Sequence, residues 1–252
     1  MSEHIYALSS PLLVFSDEMT PTFTHPLSRR MTLLQKAVLE GITQFSKLHS
    51  DIFEKYSAKA NFPWLYATAY GELASVLTLR QQIANHEQTI SPTHFQHSVH
   101  NSASGYISIL FGLKQKIQTV SSGFLSGEKS IFSAYQRIKS GQISGCFIVI
   151  ADEFVDMSKS KSAWAEVILL TSSKELISQF SFFELIECEY IHKDEFCIQN
   201  GKNKAEKNIE IISEEKNNFI MPHLGLIEKN KSFRRAVRSL NGECIETNWK
   251  LL

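Results

Sequence analysis

Three histidines, His94, His97 and His100, are the first residues whose type suggests chemistry, because imidazole binds metals and transfers protons. They fall three residues apart in the stretch SPTHFQHSVHNSASG. On a helix each residue turns the side chain by about 100°, so the outer two histidines diverge by roughly 120°. Neither a cysteine nor a carboxylate lies among them to complete a tetrahedral ligand set. The pattern therefore predicts surface or interface histidines and no metal site.

Ser126 is a second candidate for chemistry, in SSGFLSGEKS between a strand pattern and a helix pattern. A strand–turn–helix corner can present a nucleophile at a helix N-terminus. The spacing is G-x-x-S-G rather than G-x-S-x-G, and the S-x-x-K match formed with Lys129 has no S-D-N or K-T-G after it. Small residues filling a crowded corner are the simpler interpretation. An autonomous acyl hydrolase or transferase that uses Ser126 or Ser102 stays open as an alternative.

Asp152 and Glu153 follow the apolar run CFIVIA, at the carboxyl end of a predicted buried strand. Acidic residues at strand ends take part in catalysis in some enzymes, but capping and solvated roles are more frequent. The pair is therefore not predicted to act as an acid and a base.

Composition limits the class of protein. Apolar residues make up 43% of the 252 residues, and 26 basic residues balance 26 acidic ones, so no broad basic field for nucleic acid is expected. The four cysteines form no C-x-x-C pair, which favours free thiols in a reducing compartment. No secretory signal and no apolar run of about 20 residues is present, so we expect a cytoplasmic protein without a membrane span. No cofactor is predicted.

The elements that would position these residues alternate between helix and strand. A helix is expected over residues 28–48 with Ser28 as its N-cap, then a strand over 64–70, and a helix after a corner at Gly71. The remaining expected elements are a strand over 117–121, a helix over 127–140 that Gly141 ends, and strands over 146–151 and 165–171. This order predicts an α/β layered sheet.

The C-terminal third is harder to interpret. Residues 198–218 are polar and charged, which is typical of a surface connection. The final segment, FRRAVRSLNGECIETNWKLL, predicts a short helix, a turn at Asn241-Gly242 and a last strand.

An ordered series of short motifs resembles the N-terminal half of β-ketoacyl-ACP synthases, which have the thiolase-like fold. The series runs through ISP at 90–92, Asn101, Gly105, FGL at 111–113, IQTVSS, Ser126-Gly127, AYQRIKSG and CFIVIADE. The resemblance covers residues 71–153 and fades beyond about residue 173. It implies an α/β thiolase-like half-fold, layered α-β-α with a mixed central sheet. The chain would be one domain, 1–252, with its core at 28–173 and a divergent C-terminal extension at 174–252.

The same resemblance implies that the chain is not catalytic. In active ketosynthases a nucleophilic cysteine stands two residues before the Ser-Gly pair, and that position is Phe124 here. Phenylalanine has no lone pair with which to attack a thioester. The two supporting histidines belong to the family's C-terminal half, and the surroundings of His192 and His223 do not match their motifs.

A short chain of this kind is similar to the chain-length-factor subunits of aryl polyene ketosynthases. The resemblance implies heterodimerisation with a full-length β-ketoacyl-ACP synthase whose acyl tunnel the chain closes, and contact with an acyl carrier protein. His94, Phe95 and Ser98 would lie near the tunnel end. The expected dimer interface is formed by Asn101, Ser102, Gly105, Ile117, Gln118, Thr119, Val120 and Ser121.

Overall fold

The fold was analysed in a computed structural model of the chain. The structure describes residues 4–10, 12–154, 161–173, 183–191, 209–212, 232–238 and 243–251. Cys197, His192, His223 and the predicted turn at Asn241-Gly242 lie outside the described residues.

The described residues form ten strands, six α-helices and a short 3₁₀ helix, Pro26–Arg30. The strands are β1 (Ile5–Ser9), β2 (Leu13–Ser16), β3 (Trp64–Ala67), β4 (Ile117–Val120), β5 (Gly145–Phe154), β6 (Ser162–Thr171), β7 (Phe183–Ile191), β8 (Ile209–Ile212), β9 (Ser232–Arg238) and β10 (Cys244–Leu251). The α-helices are α1 (Leu33–Leu48), α2 (Ser50–Tyr56), α3 (Leu73–Ala84), α4 (Pro92–His97), α5 (Ser102–Leu110) and α6 (Ser126–Lys139).

All ten strands belong to one sheet with the order β4-β3-β5-β6-β1-β7-β10-β9-β8, and β2 pairs with β6 beside that path. The pairs β3–β4, β3–β5 and β8–β9 are parallel, whereas the other pairs are antiparallel. The predicted mixed central sheet is therefore confirmed. Among the described strands only β3 pairs with β4, so β4 forms one edge of the sheet.

Two hydrophobic clusters cover the two faces of the sheet. Helices α1, α2 and α5 share one cluster with Phe147 and Val149 of β5, whereas α6 shares the other with Cys146, Ile148 and Ile150 of the same strand. Alternate residues of a strand point to opposite faces, so a strand that is buried on both faces needs an unbroken apolar run. This arrangement confirms the predicted α-β-α layering. None of the described helices combines the length and the apolar character that crossing a bilayer requires.

Two sequence-based expectations were wrong. The predicted short helix after residue 232 is strand β9, held between β10 and β8, so pairing overrides the local helical pattern. Residues 209–212 of the predicted surface connection form β8 in the sheet. Strands β1 and β2, for which no element was predicted, also belong to the sheet, and β1 joins β6 to β7.

The start of α1 also differs from expectation. Ser28 belongs to the 3₁₀ helix, and the N-cap of α1 is Thr32. Thr32 Oγ1 accepts from the Gln35 amide at 3.2 Å, and the Gln35 side-chain oxygen accepts from the Thr32 amide at 3.1 Å. This reciprocal capping box satisfies two amides that would otherwise lack partners at the helix start.

We expect Thr32→Ala to lower the free energy of unfolding by about 0.5–2 kcal/mol, because one capping acceptor is lost. Chemical denaturation of the purified protein measures this change. Thr32→Ser keeps the hydroxyl and should retain most of the stability, while Ser28→Ala is the control at the cap that the sequence predicted. Equal losses in Ser28→Ala and Thr32→Ala would contradict the assignment.

Candidate functional site

Phe124 lies in a tight corner between β4 and α6. Gly123 has a φ of +57°, a left-handed conformation that glycine adopts without a Cβ clash, and Ser122 and Phe124 form an isolated parallel bridge. The half-buried Phe124 ring meets the Tyr70 ring edge to face, with centroids 5.8 Å apart. The predicted nucleophile position therefore presents an aromatic edge beside a second aromatic ring.

Ser126 anchors this corner. Its hydroxyl is buried, lies 2.9 Å from the Thr68 carbonyl oxygen and 2.6 Å from the Gly123 carbonyl oxygen, and accepts from the Ser122 amide at 2.8 Å. A hydroxyl donates one hydrogen, and here backbone carbonyls compete for it. The hydrogen-bond partners recorded for Ser126 include no base that could activate the hydroxyl. The geometry does not support Ser126 as a nucleophile.

Asp152 holds the other side of the corner. Its carboxylate accepts from Thr68 Oγ1 at 2.7 Å and from the amides of Ala69 and Tyr70 at 2.9–3.0 Å. Burial raises the pKa of Asp152, and these hydrogen bonds oppose that rise. Glu153 accepts from the Ala74 amide at the start of α3. Both acids thus fix the segment that carries Tyr70, which agrees with the capping role considered for them above.

The described thiols are poorly placed for chemistry. Cys146, Cys188 and Cys244 are buried. Burial raises the pKa of Cys146 to about 12 and also raises the pKa of Cys188. Because the thiolate is the nucleophile, such thiols are unreactive near neutral pH.

The three histidines do not share a helix face, because α4 ends at His97. His97 is buried rather than at a surface, which corrects the prediction, and its ring stacks on Tyr106. His100 packs against Gly71, where an added Cβ would come within 3.3 Å of the imidazole. Among the described residues no group of three or more His, Cys, Asp or Glu side chains could hold a metal ion.

The predicted tunnel residues face three different environments. His94 lines a cavity of about 180 Å³ between α1, α3 and the adjoining ends of β5 and β6. Phe95 projects from α4 with 69% of its surface exposed. Ser98 Oγ donates to the Phe95 carbonyl oxygen at 2.8 Å and borders a shallow apolar depression on α3. Of the three, Phe95 is the large side chain that is exposed to solvent.

A buried polar cluster fixes α4 and α5, and sequence reasoning missed it. Gln35 Nε2 lies 2.8 Å from Glu72 Oε1, 2.9 Å from His97 Nδ1 and 2.8 Å from Ser102 Oγ. Burial raises the pKa of Glu72 to about 8 and lowers the pKa of His97. The T-x-x-Q spacing after Thr32 is the signal that could have identified Gln35.

Ser102 therefore belongs to a structural cluster. Its nearest base, His97 Nδ1, is 3.4 Å away and also faces Gln35. Burial lowers the pKa of His97, which weakens it as a base. The geometry does not support Ser102 as a nucleophile.

The predicted interface residues lie around the open edge of β4. Gln118 and Ser121 are exposed, Ile117 and Val120 are half-buried, and Thr119 Oγ1 lies 3.1 Å from Ser104 Oγ of α5.

Helix α5 leaves room beside this edge. Asn101 is exposed at the N-cap of α5, and a Cβ added at Gly105 would meet nothing within 4 Å. The two residues leave space for another backbone to approach.

Exposed apolar side chains concentrate in one stretch of the sequence. Of the large hydrophobic residues exposed in the described part of the chain, most fall between residues 70 and 109: Tyr70, Val76, Ile83, Ile90, Phe95, Val99 and Ile109. Two of them, Val76 and Ile83 of α3, line one shallow depression and form an apolar face there. Exposed apolar patches of this kind can mark an interaction surface.

The profile of the β-ketoacyl synthase N-terminal domain matches residues 15–179, about two-thirds of the chain. The chain belongs to this family, so the resemblance drawn from its motifs is confirmed. A search of curated proteins finds no match.

Solved structures of ketosynthases share the fold. The chain aligns with a chain from the ketosynthase ApeO in complex with its chain length factor ApeC, from Xenorhabdus doucetiae, at 15% identity and a TM-score of 0.55, covering 97% of this chain and 99% of that chain. It aligns with the ishigamide ketosynthase/chain length factor at 11% identity and a TM-score of 0.62, covering 92% and 86% of the two chains.

A third alignment covers 100% of both chains at 10% identity and a TM-score of 0.66. That structure is a type II PKS acyl carrier protein in complex with its ketosynthase bound to the hexaketide, AntDE:AntF. The chain therefore has the thiolase-like α/β fold that the motifs implied.

The Glu72 carboxyl should make stability depend on pH. The folded state keeps its proton up to about pH 8, whereas the unfolded state releases it near 4.5. The folded state binds more protons in this window, so the stabilisation is complete below about pH 4.5 and is lost as pH rises towards 8. We expect the unfolding free energy to fall between about pH 6.5 and 8.

Glu72→Gln removes the titrating group and keeps an oxygen for Gln35, so the slope should become flatter. The effect of His97, whose folded pKa is lowered, has the opposite sign and lies below about pH 6.5. Asp152 and Glu153 are present in both proteins and cancel in the comparison. Equal slopes in Glu72→Gln and the unchanged protein, measured by denaturation, would show that Glu72 does not titrate in this range.

Proposed function

We propose that this chain is a non-catalytic subunit, similar to a chain length factor, that pairs with a β-ketoacyl-ACP synthase and closes its acyl tunnel. The observation that carries the proposal is Phe124, an aromatic ring at the corner where a condensing enzyme needs sulfur. Cys146 and Cys188 are buried with raised pKa, Cys244 is also buried, and neither Ser126 nor Ser102 has the setting of a nucleophile. The chain can thus shape a cavity without forming a bond to the substrate.

The proposed partner is suggested by the neighbours in fold. Two of them are structures of a ketosynthase with a chain length factor, and another holds an acyl carrier protein with its ketosynthase. We assign this chain a full-length ketosynthase as partner and an acyl carrier protein as the source of its substrate. Scattered cysteines without a C-x-x-C pair fit a reducing, cytoplasmic compartment.

Pairing would use the outer edge of β4. An edge strand offers a row of amide and carbonyl groups that a second strand can satisfy, and left open it promotes aggregation. The apolar face formed by Val76 and Ile83 is also exposed, and the proposed interface would extend over it. A stable interface of about 1,200–2,000 Å² would cover both.

Length control would then be steric. A growing chain extends through the partner's tunnel until its terminus meets a wall that this subunit supplies, with Phe95 as the bulky side chain. Each further two-carbon unit overpacks that wall, which costs about 1–3 kcal/mol. A difference of about 1.4 kcal/mol changes a rate tenfold, which is enough to select a product length.

The proposal is tested by making the product with the ketosynthase alone and with the ketosynthase plus this chain. We expect a defined chain length only when both are present. A Phe124→Cys chain without the ketosynthase should make no product, because the thiol alone lacks the supporting histidines. An unchanged product without the subunit, or condensation by Phe124→Cys alone, would refute the proposal.

We expect the chain expressed alone to be largely insoluble or aggregated, because the β4 edge and the apolar face are uncovered. Co-expression with its ketosynthase should bring it into the soluble fraction as a co-purifying pair, and co-expression with an unrelated soluble protein should not. Size-exclusion chromatography distinguishes the cases. A stable monomer from the chain alone would count against an obligate partner.

Ser98→Phe should shorten the product, because the added ring thickens the wall beside Phe95. The matched control is Ser140→Phe, since Ser140 also caps a helix C-terminus and donates its hydroxyl three residues back, to Arg137 at 3.1 Å. Mass spectrometry of products from both complexes measures the change. An unchanged product with the Ser98→Phe complex intact removes Ser98 from the wall.

A further inference from the structure

A series of hydrogen bonds and one ion pair connects the Phe124 corner to the C-terminal strands. Lys129 Nζ donates to Ser122 Oγ at 2.8 Å and pairs with Glu243 Oε2 at 3.1 Å. The Tyr190 hydroxyl donates to the other oxygen of Glu243 at 2.6 Å. Ser122 lies two residues before Phe124, while Tyr190 is in β7 and Glu243 immediately precedes β10. Residues far apart in sequence thus meet at the corner.

Lys129 is well placed to act on this corner. It lies in the first turn of α6, where its amide donates to the Leu125 carbonyl oxygen at 2.8 Å. Leu125 is fully buried, so the helix start cannot shift without repacking. On the other side of Phe124, the Ser122 amide is held by Ser126 Oγ. The Lys129 side chain therefore holds Ser122 while its backbone fixes the residue after Phe124.

The C-terminal strands also pack under α6. Ile131 and Ala134 of α6 share a hydrophobic cluster with Leu185 of β7 and with Ile245 and Trp249 of β10. This packing fixes the distance between α6 and strands β7 and β10. The hydrogen bonds and the ion pair of Lys129 add directional contacts near the N-terminal end of α6. Hydrophobic packing alone would allow the helix to slide along the strands.

We infer that the C-terminal strands position the Phe124 corner. Lys129, Glu243 and Tyr190 are the positioning residues, and the corner they hold is part of the surface presented to the partner. The effect on product length rests on the proposed function, whereas the effect on the corner does not. The Lys129 and Glu243 side chains are 28% and 33% exposed, so solvent screens the pair and removing it should loosen the corner rather than unfold the chain.

Hydrogen–deuterium exchange on the purified full chain, with its ketosynthase where the two co-purify, tests the inference. Lys129→Gln and Glu243→Gln should each speed exchange over residues 121–126 by about two- to fivefold, the scale of a partly exposed ion pair. The matched control is Lys139→Gln on the same helix, whose ammonium contacts Tyr135 away from the corner. In Lys139→Gln, residues 121–126 should exchange at the same rate as in the unsubstituted chain.

Charge reversal distinguishes positioning from general stability. The double variant Lys129→Glu with Glu243→Lys restores an opposite pair, so its exchange over residues 121–126 should return towards the original rate. In the complex, the two single variants should broaden the product-length distribution and Lys139→Gln should not.

Unchanged exchange at the corner in both single variants would overturn the inference. So would faster exchange that leaves the product distribution unchanged. Failure of the proposed function would be seen separately, as no effect of the unsubstituted chain on product length.

Discussion

The open edge of β4 is the constraint on which the rest of the structure depends. Within the described part of the sheet, β4 pairs only with β3, so its other side offers amides and carbonyls that need a partner or water. Helices α5 and α6 flank the strand, and the chain leaves it directly into the Phe124 corner. Any strand that pairs with β4 therefore brings a second protein against that corner.

The corner itself is built from polar contacts that serve architecture. Asp152 and Ser126 both bond to the segment that begins at Thr68: Asp152 accepts from the Thr68 hydroxyl and from two amides, and Ser126 lies against the Thr68 carbonyl oxygen. These contacts support the segment that carries Tyr70 and the turn that carries Phe124. None of them involves the Phe124 side chain, so the hydrogen bonds that shape the corner do not depend on the residue type at that position.

Much of the central fold could be predicted from sequence because its signals are local. The run at 146–151 is apolar at every residue, as a strand buried on both faces must be, and Gly141 ends α6 in a left-handed conformation. Strands that are held by pairing partners distant in sequence were missed. Strand β1 is held by β6, more than 150 residues away, and β9 became a strand because β8 and β10 pair with it.

The residues of the candidate site also fall into two groups: those that a sequence signal identifies and those that only the fold brings together. Phe124 was found through an ordered motif series, and its assignment to the nucleophile position stays a prediction. The capping spacing after Thr32 could have identified Gln35 but not the residues that surround it, and no sequence signal identifies the Lys129–Glu243 pair. Only the fold brings them together, and spacing along one sequence carries no signal for contacts across 37 or 114 residues.

Site-specific photo-crosslinking in cells tests the central claim most directly. A photoreactive amino acid at Gln118, the exposed residue of β4, should crosslink this chain to its ketosynthase, whereas the same group at exposed Glu18 should not. Mass spectrometry identifies the joined peptides. The account predicts a heterodimeric product at Gln118; a crosslink only between two copies of this chain, or none, would contradict it.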